Sequence, residues 1–331
     1  MKAIVCARYG PPDLLRLEEI QKPMPSDDEV LVEVRASSVN YNNLALVRGK
    51  PFMARLMGVG FLKPKHKIPG SDIAGRVEAV GSNVKQFKPG DEVFGMLSWG
   101  AFAEYVCVPE NALVLKPVNL SFEDAGVVPE AALVALQGLR DKGKIQPGQK
   151  VLIYGASGGN GTFAVQIAKS FGAEVTGVCS TRNIEMVRSL GADHVFDYTK
   201  EDFTKNREHY DLILATTGYR SIFDYRRVLS PNGIYVATGG TMKGPKAMAQ
   251  VFQALLLGPL ISMTGSKKMG IMTLKKRQQD LVIIKELLEA GKVKPVIDRR
   301  YPLSEVGEAL RYYEEGHTKG KVALMFDTFR N

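Results

Sequence analysis

A chain of 331 residues is longer than one hydrophobic core usually organises, and 45% hydrophobic content without low-complexity tracts excludes a disordered or fibrous protein. The net charge of +9 comes from Lys and Arg dispersed along the chain, with short clusters only at 63–67, 267–268 and 275–277, and no nucleic-acid module accompanies them. Three scattered cysteines, Cys6, Cys107 and Cys179, offer neither a disulfide framework nor a thiolate metal site, which fits a reducing compartment.

Met1 leads straight into a strand-like stretch at 2–7, so neither a secretory signal nor a transit peptide is expected, and a cytoplasmic location is the simplest expectation. Residues 30–36 alternate as a strand does, 72–80 form a second strand running into Gly81-Ser82-Asn83, and 91–96 follow the turn Pro89-Gly90. This first part, to about residue 120, has the look of a small β-barrel. Within it, residues 52–66 form an apolar, glycine-containing insert that is expected either to lid the mouth of a substrate site, Met supplying adaptable contact surface, or to pack on its own barrel or on a partner subunit. The histidines, His66, His194, His209 and His317, fall in loops or at helix ends without ligand or triad spacing, so none is assigned to catalysis.

From Ser121 onward helix and strand patterns alternate, the signature of βαβ units around a parallel sheet. Residues 150–169 are the most informative: a buried strand at 151–154, a glycine-dense turn from Gly155 to Gly161, a helix at 162–171 and a second strand at 174–179. The turn reads Ala156-Ser157-Gly158-Gly159-Asn160-Gly161, with alanine where the strict dinucleotide fingerprint opens on glycine. Gly158 would let the backbone approach a pyrophosphate, Gly161 would let the helix pack on the strand, and the helix N-terminus offers N–H groups to the anion.

An NAD-preferring fold needs a carboxylate at the tip of the second strand to accept from the ribose 2′-hydroxyl. This chain has Ser180, Thr181 and Arg182 there, donors suited to a 2′-phosphate, so NADPH is the expected cofactor, with Tyr198 as a further wall. Later strands are expected at 210–215, 233–238 and 260–264, and helices at 183–190, 221–228 and 274–290. Thr216, Thr217, Gly239 and Gly240 then follow strand ends, where ligands of open α/β sheets lie, and are candidates for the nicotinamide half. The apolar stretch 247–263 is interrupted by Gln250, Gln253, Gly258 and Pro259 and is too broken to span a bilayer. Residues 294–331 return to β signals with a helix at 305–314, and are expected to fold back onto the first domain.

Five blocks in this order resemble a known family: 29–40, 69–81, 88–95, the glycine unit, and Gly320-Lys321-Val322. The chain resembles zinc-free medium-chain dehydrogenase/reductases of the NADPH:quinone oxidoreductase branch. The resemblance implies an α/β protein, with a GroES-like β-barrel catalytic domain (1–122 and 295–331), a Rossmann doubly wound parallel sheet (123–294), and a cofactor cleft between them. It adds Val134 and Lys321 to the cofactor contacts. It also implies a homodimer with an apolar seam at Leu255–Leu257 and Leu260–Met263, membrane-surface contact being the rival use of that patch.

Zinc-dependent relatives carry a cysteine where this chain has Asn40, a Gly-His-Glu where it has Gly70-Ser71-Asp72, and a second cysteine near Ala131, so no metal is expected. Hydride addition to an activated acceptor needs less help than alcohol oxidation. The expected function is an NADPH-dependent reductase of quinones or enones, apolar electrophilic small molecules whose oxygen would be held by Asn40 and Tyr41. A zinc-independent alcohol or aldehyde dehydrogenase-reductase and a non-catalytic nucleotide-gated binding protein are the alternatives. Three positions depart from the branch: Val134 for a threonine beside the nicotinamide ribose, Asn160 for an apolar residue, and Asn43 for a frequent aspartate.

Overall fold

Glu29–Val39 forms the longest strand, as the alternation of Val30, Val32 and Val34 requires, and all three valines are buried. It belongs to a computed structural model that describes residues 1–50, 55, 60–217, 220–238 and 244–326. In chain order the first elements are β1 (Lys2–Val5), β2 (Arg16–Glu19), β3 (Glu29–Val39), α1 (Tyr41–Arg48), β4 (Asp72–Val80), β5 (Glu92–Met96), β6 (Tyr105–Pro109), β7 (Leu113–Leu115), α2 (Phe122–Gly126) and α3 (Pro129–Gln137). There follow β8 (Lys150–Tyr154), α4 (Gly159–Ser170), β9 (Glu174–Cys179), α5 (Ile184–Ser189), β10 (His194–Asp197), β11 (Tyr210–Ala215), α6 (Ile222–Val228) and β12 (Leu229–Ala237). The last are α7 (Gly244–Thr264), β13 (Lys268–Ile271), α8 (Gln278–Glu289), β14 (Ile297–Pro302), α9 (Val306–Glu315) and β15 (Lys321–Met325).

Residues 1–130, 276–289 and 297–331 make one compact unit. Its seven-stranded sheet runs β14-β15-β3-β4-β5-β7, and β6 joins at β3. β3 is the hub: its first half pairs with β6, its last residues with β15, and most of its length with β4, all antiparallel. The core between these strands is aliphatic and aromatic, including Val32, Ile73, Val93, Phe102, Leu113 and Leu324.

Residues 131–275 and 290–296 make the second unit. All six strands of its sheet are parallel, in the order β10-β9-β8-β11-β12-β13. Taken from β8 as first strand, this is the 3-2-1-4-5-6 order of a dinucleotide fold, whose direction reverses between β8 and β11. Helices cover both faces of such a sheet, which is why Val151, Leu152 and Ile153 form a continuous apolar run, each fully buried. A second core gathers Phe203, Tyr210, Tyr225 and Tyr235, with the rings of Tyr225 and Tyr235 stacked at 4.6 Å.

Four expectations are corrected. Residues 260–264 are the end of helix α7, and the strand lies at Lys268–Ile271. The apolar run alone does not distinguish the two, and Pro259 sits inside the helix. There the Ser262 hydroxyl donates to Gly258 O at 2.8 Å and accepts the Met269 N–H at 2.8 Å, tying the helix to the strand that follows. His194 opens a short strand, β10, that no pattern announced. The helix expected at 274–290 is confined to Gln278–Glu289. Finally, residues 276–289 group with the first unit, unlike the expected 123–294 division. Gln278 Nε2 donates to Leu113 O at 2.8 Å and Asn119 Nδ2 to Leu288 O at 3.1 Å, which fastens α8 there.

Candidate functional site

Two places concentrate polar chemistry, one in each unit. In the first, strand register does the assembling. Val322 lies opposite Val39, which brings Lys321 beside Asn40; Ser37 lies opposite Ile73, which brings Ser38 to Asp72. Asn40 caps α1 in extended backbone, its N–H donating to Asn43 Oδ1 at 2.8 Å. Glu130, second residue of α3, donates its backbone N–H to Asp72 Oδ1 at 2.8 Å.

The side chains then close on one another. Asn40 Nδ2 donates to Asp72 Oδ2 at 2.8 Å and Ser71 Oγ at 3.2 Å, and Asn40 Oδ1 accepts from Lys321 Nζ. Ser38 Oγ donates to Asp72 Oδ2 at 2.6 Å, and Lys321 Nζ lies 3.6 Å from the same oxygen. Ser71 Oγ donates to Glu130 Oε2 at 2.7 Å, while Asn42 Nδ2 donates to Glu130 Oε1 at 2.9 Å. Asp72, Lys321 and Glu130 are 0%, 3% and 7% exposed, so charge here is felt at short range with little screening.

Burial first, and then the negative charge of Asp72, push the Glu130 carboxyl up to about 7, against the pull of Lys321, Ser71 and Lys276. Burial also raises the phenol of Tyr41, the half-buried first residue of α1. The Asn40 amide, expected to hold a substrate oxygen, is committed to internal bonds on both its atoms, which leaves Tyr41 of that pair. Lys321, expected among the cofactor contacts, has its ammonium paired inside the cluster with Asn40 and Asp72.

Zinc does not fit this cluster. Its carboxylates are already held by an ammonium and by hydroxyl and amide donors, and a dication placed there would face the Lys321 charge. Cys6 and Cys179 are buried and Cys107 half-buried, and burial pushes all three thiols up to about 11.

In the second unit, Gly158 caps α4 without any side-chain cap, so the helix's first N–H groups are left for a partner. A Cβ at Gly161 would fall 2.0 Å from Gly155 O, so glycine is required there by the turn itself. A Cβ at Gly158 would meet nothing nearer than 3.6 Å, so the chain's own packing does not demand glycine at that position. Ala156 is fully buried, and Ser157, Gly159 and Asn160 are half-buried around the turn.

At the tip of β9, Asn183 Nδ2 donates to Ser157 Oγ at 3.0 Å and Ser180 Oγ at 3.2 Å, which ties the glycine turn to the next corner. Asn183 Oδ1 is buried without a partner. Arg182 and Tyr198 are exposed beside it. Thr181 departs from expectation: its hydroxyl donates to Asp197 Oδ2, so it is not a free phosphate donor. Thr216 does as well, its hydroxyl donating to Tyr154 O at 3.0 Å. Val134 is buried in α3, Thr217 is half-buried after β11, and Gly239 and Gly240 lie outside the described residues, as do 52–54 and 56–59 of the 52–66 insert.

Glu130, Asp197 and Asn183 were not anticipated. A glutamate after a proline at a helix start reads as an ordinary dipole partner, and nothing near it in sequence signals burial beside Asp72. Asp197 could have been found, since an acid ends the strand beside β9, but that strand is only four residues long.

Residues 26–118 match the alcohol dehydrogenase GroES-like domain and residues 190–324 the zinc-binding dehydrogenase family. A 2-methylene-furan-3-one reductase of Solanum lycopersicum is 35% identical over 338 residues, covering 98% of this chain and 79% of the relative. A chloroplastic NADPH-dependent alkenal/one oxidoreductase of Arabidopsis thaliana is 34% identical, with the same shares of 98% and 79%. Among solved structures, the quinone oxidoreductase from Coxiella burnetii superposes with a TM-score of 0.82 at 27% identity, covering 98% of this chain and 99% of that one.

Proposed function

The chain belongs to the medium-chain dehydrogenase/reductase family, in its quinone oxidoreductase-like branch, and from that premise we propose that it reduces quinones and enones with NADPH and without a metal. What carries the proposal is that the second unit holds an uncapped glycine-turn helix and the first, taken by itself, a polar cluster whose internal cation is a lysine. When bound, the cofactor would supply hydride from its nicotinamide ring. Gly158 and the first amides of α4 would hold its pyrophosphate, and Ser180 and Arg182 its 2′-phosphate, since Thr181 and Asp197 satisfy one another.

Tyr41 is the group we assign to the acceptor oxygen, as a hydrogen-bond donor kept protonated by its raised pKa. Asn40 is reassigned to positioning: it locks Asp72, Ser71 and Lys321 beneath the start of α1. We further propose a homodimer seamed by α7, where Leu255, Leu256, Leu260 and Met263 are 51%, 66%, 57% and 82% exposed, and a cytoplasmic location. Sedimentation of the protein with and without lipid vesicles separates a dimer seam from membrane-surface contact.

A panel of quinones, enones, aldehydes and alcohols, each offered with NADPH and NADH, tests the reading. Turnover of quinones or enones with NADPH preferred is expected. Activity confined to alcohols and aldehydes, or a preference for NADH, would sink it.

A further inference from the structure

Reduction of an enone by hydride leaves the acceptor as an enolate, with two electrons gained and one proton still owing. Resting on the function proposed above, we propose that Glu130 stores that proton and passes it on through Tyr41. The argument is first one of charge. Asp72 and Glu130 are two buried carboxylates, and among the described residues Lys321 is the ammonium ion-paired inside the cluster, with Lys276 acting on Glu130 only from its edge. A buried group of this kind with both acids ionised carries an uncompensated negative charge, and one proton removes it. Asp72 accepts from Ser38, from Asn40 and from the Glu130 backbone N–H, with Lys321 beside it, so Asp72 keeps the charge and the proton resides on Glu130.

The surroundings of Glu130 fit a carboxyl that cycles. Ser71 and Asn42 donate to its two oxygens and so hold the carboxylate once the proton leaves. Asn42 is next to Tyr41 in the first turn of α1. The charged or titratable groups facing Glu130 are Asp72 at the start of β4, Lys321 at the start of β15, Lys276 ahead of α8, and Tyr313 on α9, the last of which also feels Tyr41. Burial and Asp72 raise the carboxyl to about 7, where gain and loss of a proton are both accessible at neutral pH. In the step itself the Tyr41 O–H bond breaks as its proton joins the enolate. The Glu130 O–H bond then breaks and its proton, carried by intervening water, restores the phenol, after which solvent reprotonates the carboxylate.

Infrared difference spectra of the whole protein, recorded across a pH titration, test this without requiring turnover. A protonated-carboxyl band is expected to vanish as pH rises through about 7, to be missing from Glu130→Gln and to persist in Tyr41→Phe. With NADPH and an enone, kcat should fall as pH passes the same point, and Glu130→Gln should show a flat profile with kcat about a hundredfold lower. Ser71→Ala, which removes a donor to the carboxylate, should move the band's midpoint upward and serves if Glu130→Gln does not fold. No titrating band, a band surviving in Glu130→Gln, or a midpoint unmoved in Ser71→Ala overturns the proposal. A band without turnover of any enone or quinone supports the stored proton and counts against the acceptor chemistry.

Discussion

The polar cluster of the first unit and the glycine turn of the second are built on opposite plans. Around Asn40, Asp72 and Lys321 each polar atom meets another within the chain, so the arrangement is complete before anything binds. At Gly158 the chain leaves a helix start uncapped and space that its own packing does not need. A region saturated from within should reveal itself through stability when disturbed, and a region left open should reveal itself through binding.

The largest effect that would sharpen this contrast is expected from Lys321→Met. Removing one partner of a buried ion pair costs about 3–5 kcal/mol, to be read from denaturant unfolding, and adding Asp72→Asn should recover part of the loss. A loss no greater than that of an exposed pair, below about 1 kcal/mol, would break the claim that the cluster is internally held.

Next comes a pair of glycine substitutions within one turn. Gly161→Ala forces a Cβ against Gly155 O and should cost about 1–3 kcal/mol of stability. Gly158→Ala should change stability by less than about 1 kcal/mol, yet weaken NADPH binding about tenfold by fluorescence titration. Equal losses of stability at both would mean that the turn's glycines serve the fold alone.

A further effect is a dependence on pH. Glu130 has a raised pKa in the folded chain, so between about 4.5 and about 7 the folded state holds a proton that the unfolded state has released. Stability should therefore fall as pH rises through that window and level off above it, and Glu130→Gln should remove the slope in thermal melts. Asp202 in the second unit has the opposite sign. The Arg220 guanidinium holds its carboxyl below the usual range, so its contribution is lost only as pH falls below 3.8. A melt rising through neutrality would contradict the Glu130 assignment.

What could be read in the sequence followed the distance over which each signal acts. The glycine turn and β8 and β9 are set by neighbours a few residues apart, and the expected strands at 151–154 and 174–179 lie within or match Lys150–Tyr154 and Glu174–Cys179. The quinone oxidoreductase-like family and the two-part α/β architecture were equally legible, because five separate blocks agreed. The end of α7 was misread because Gly258 and Pro259 look like a break until Ser262 is seen bridging to Met269. The polar cluster was half legible. Asn40 and Lys321 were singled out, but Glu130 reaches them from 90 positions beyond Asn40, through a pairing that only the folded strands bring about.

The three cysteines carry a consequence for durability. Conjugated ketones alkylate sulfur, and the attacking species is the thiolate. With each thiol pushed up to about 11, only about one in ten thousand is ionised at pH 7. A catalyst that handles such reagents thereby presents its own sulfur to them almost wholly as the less reactive thiol.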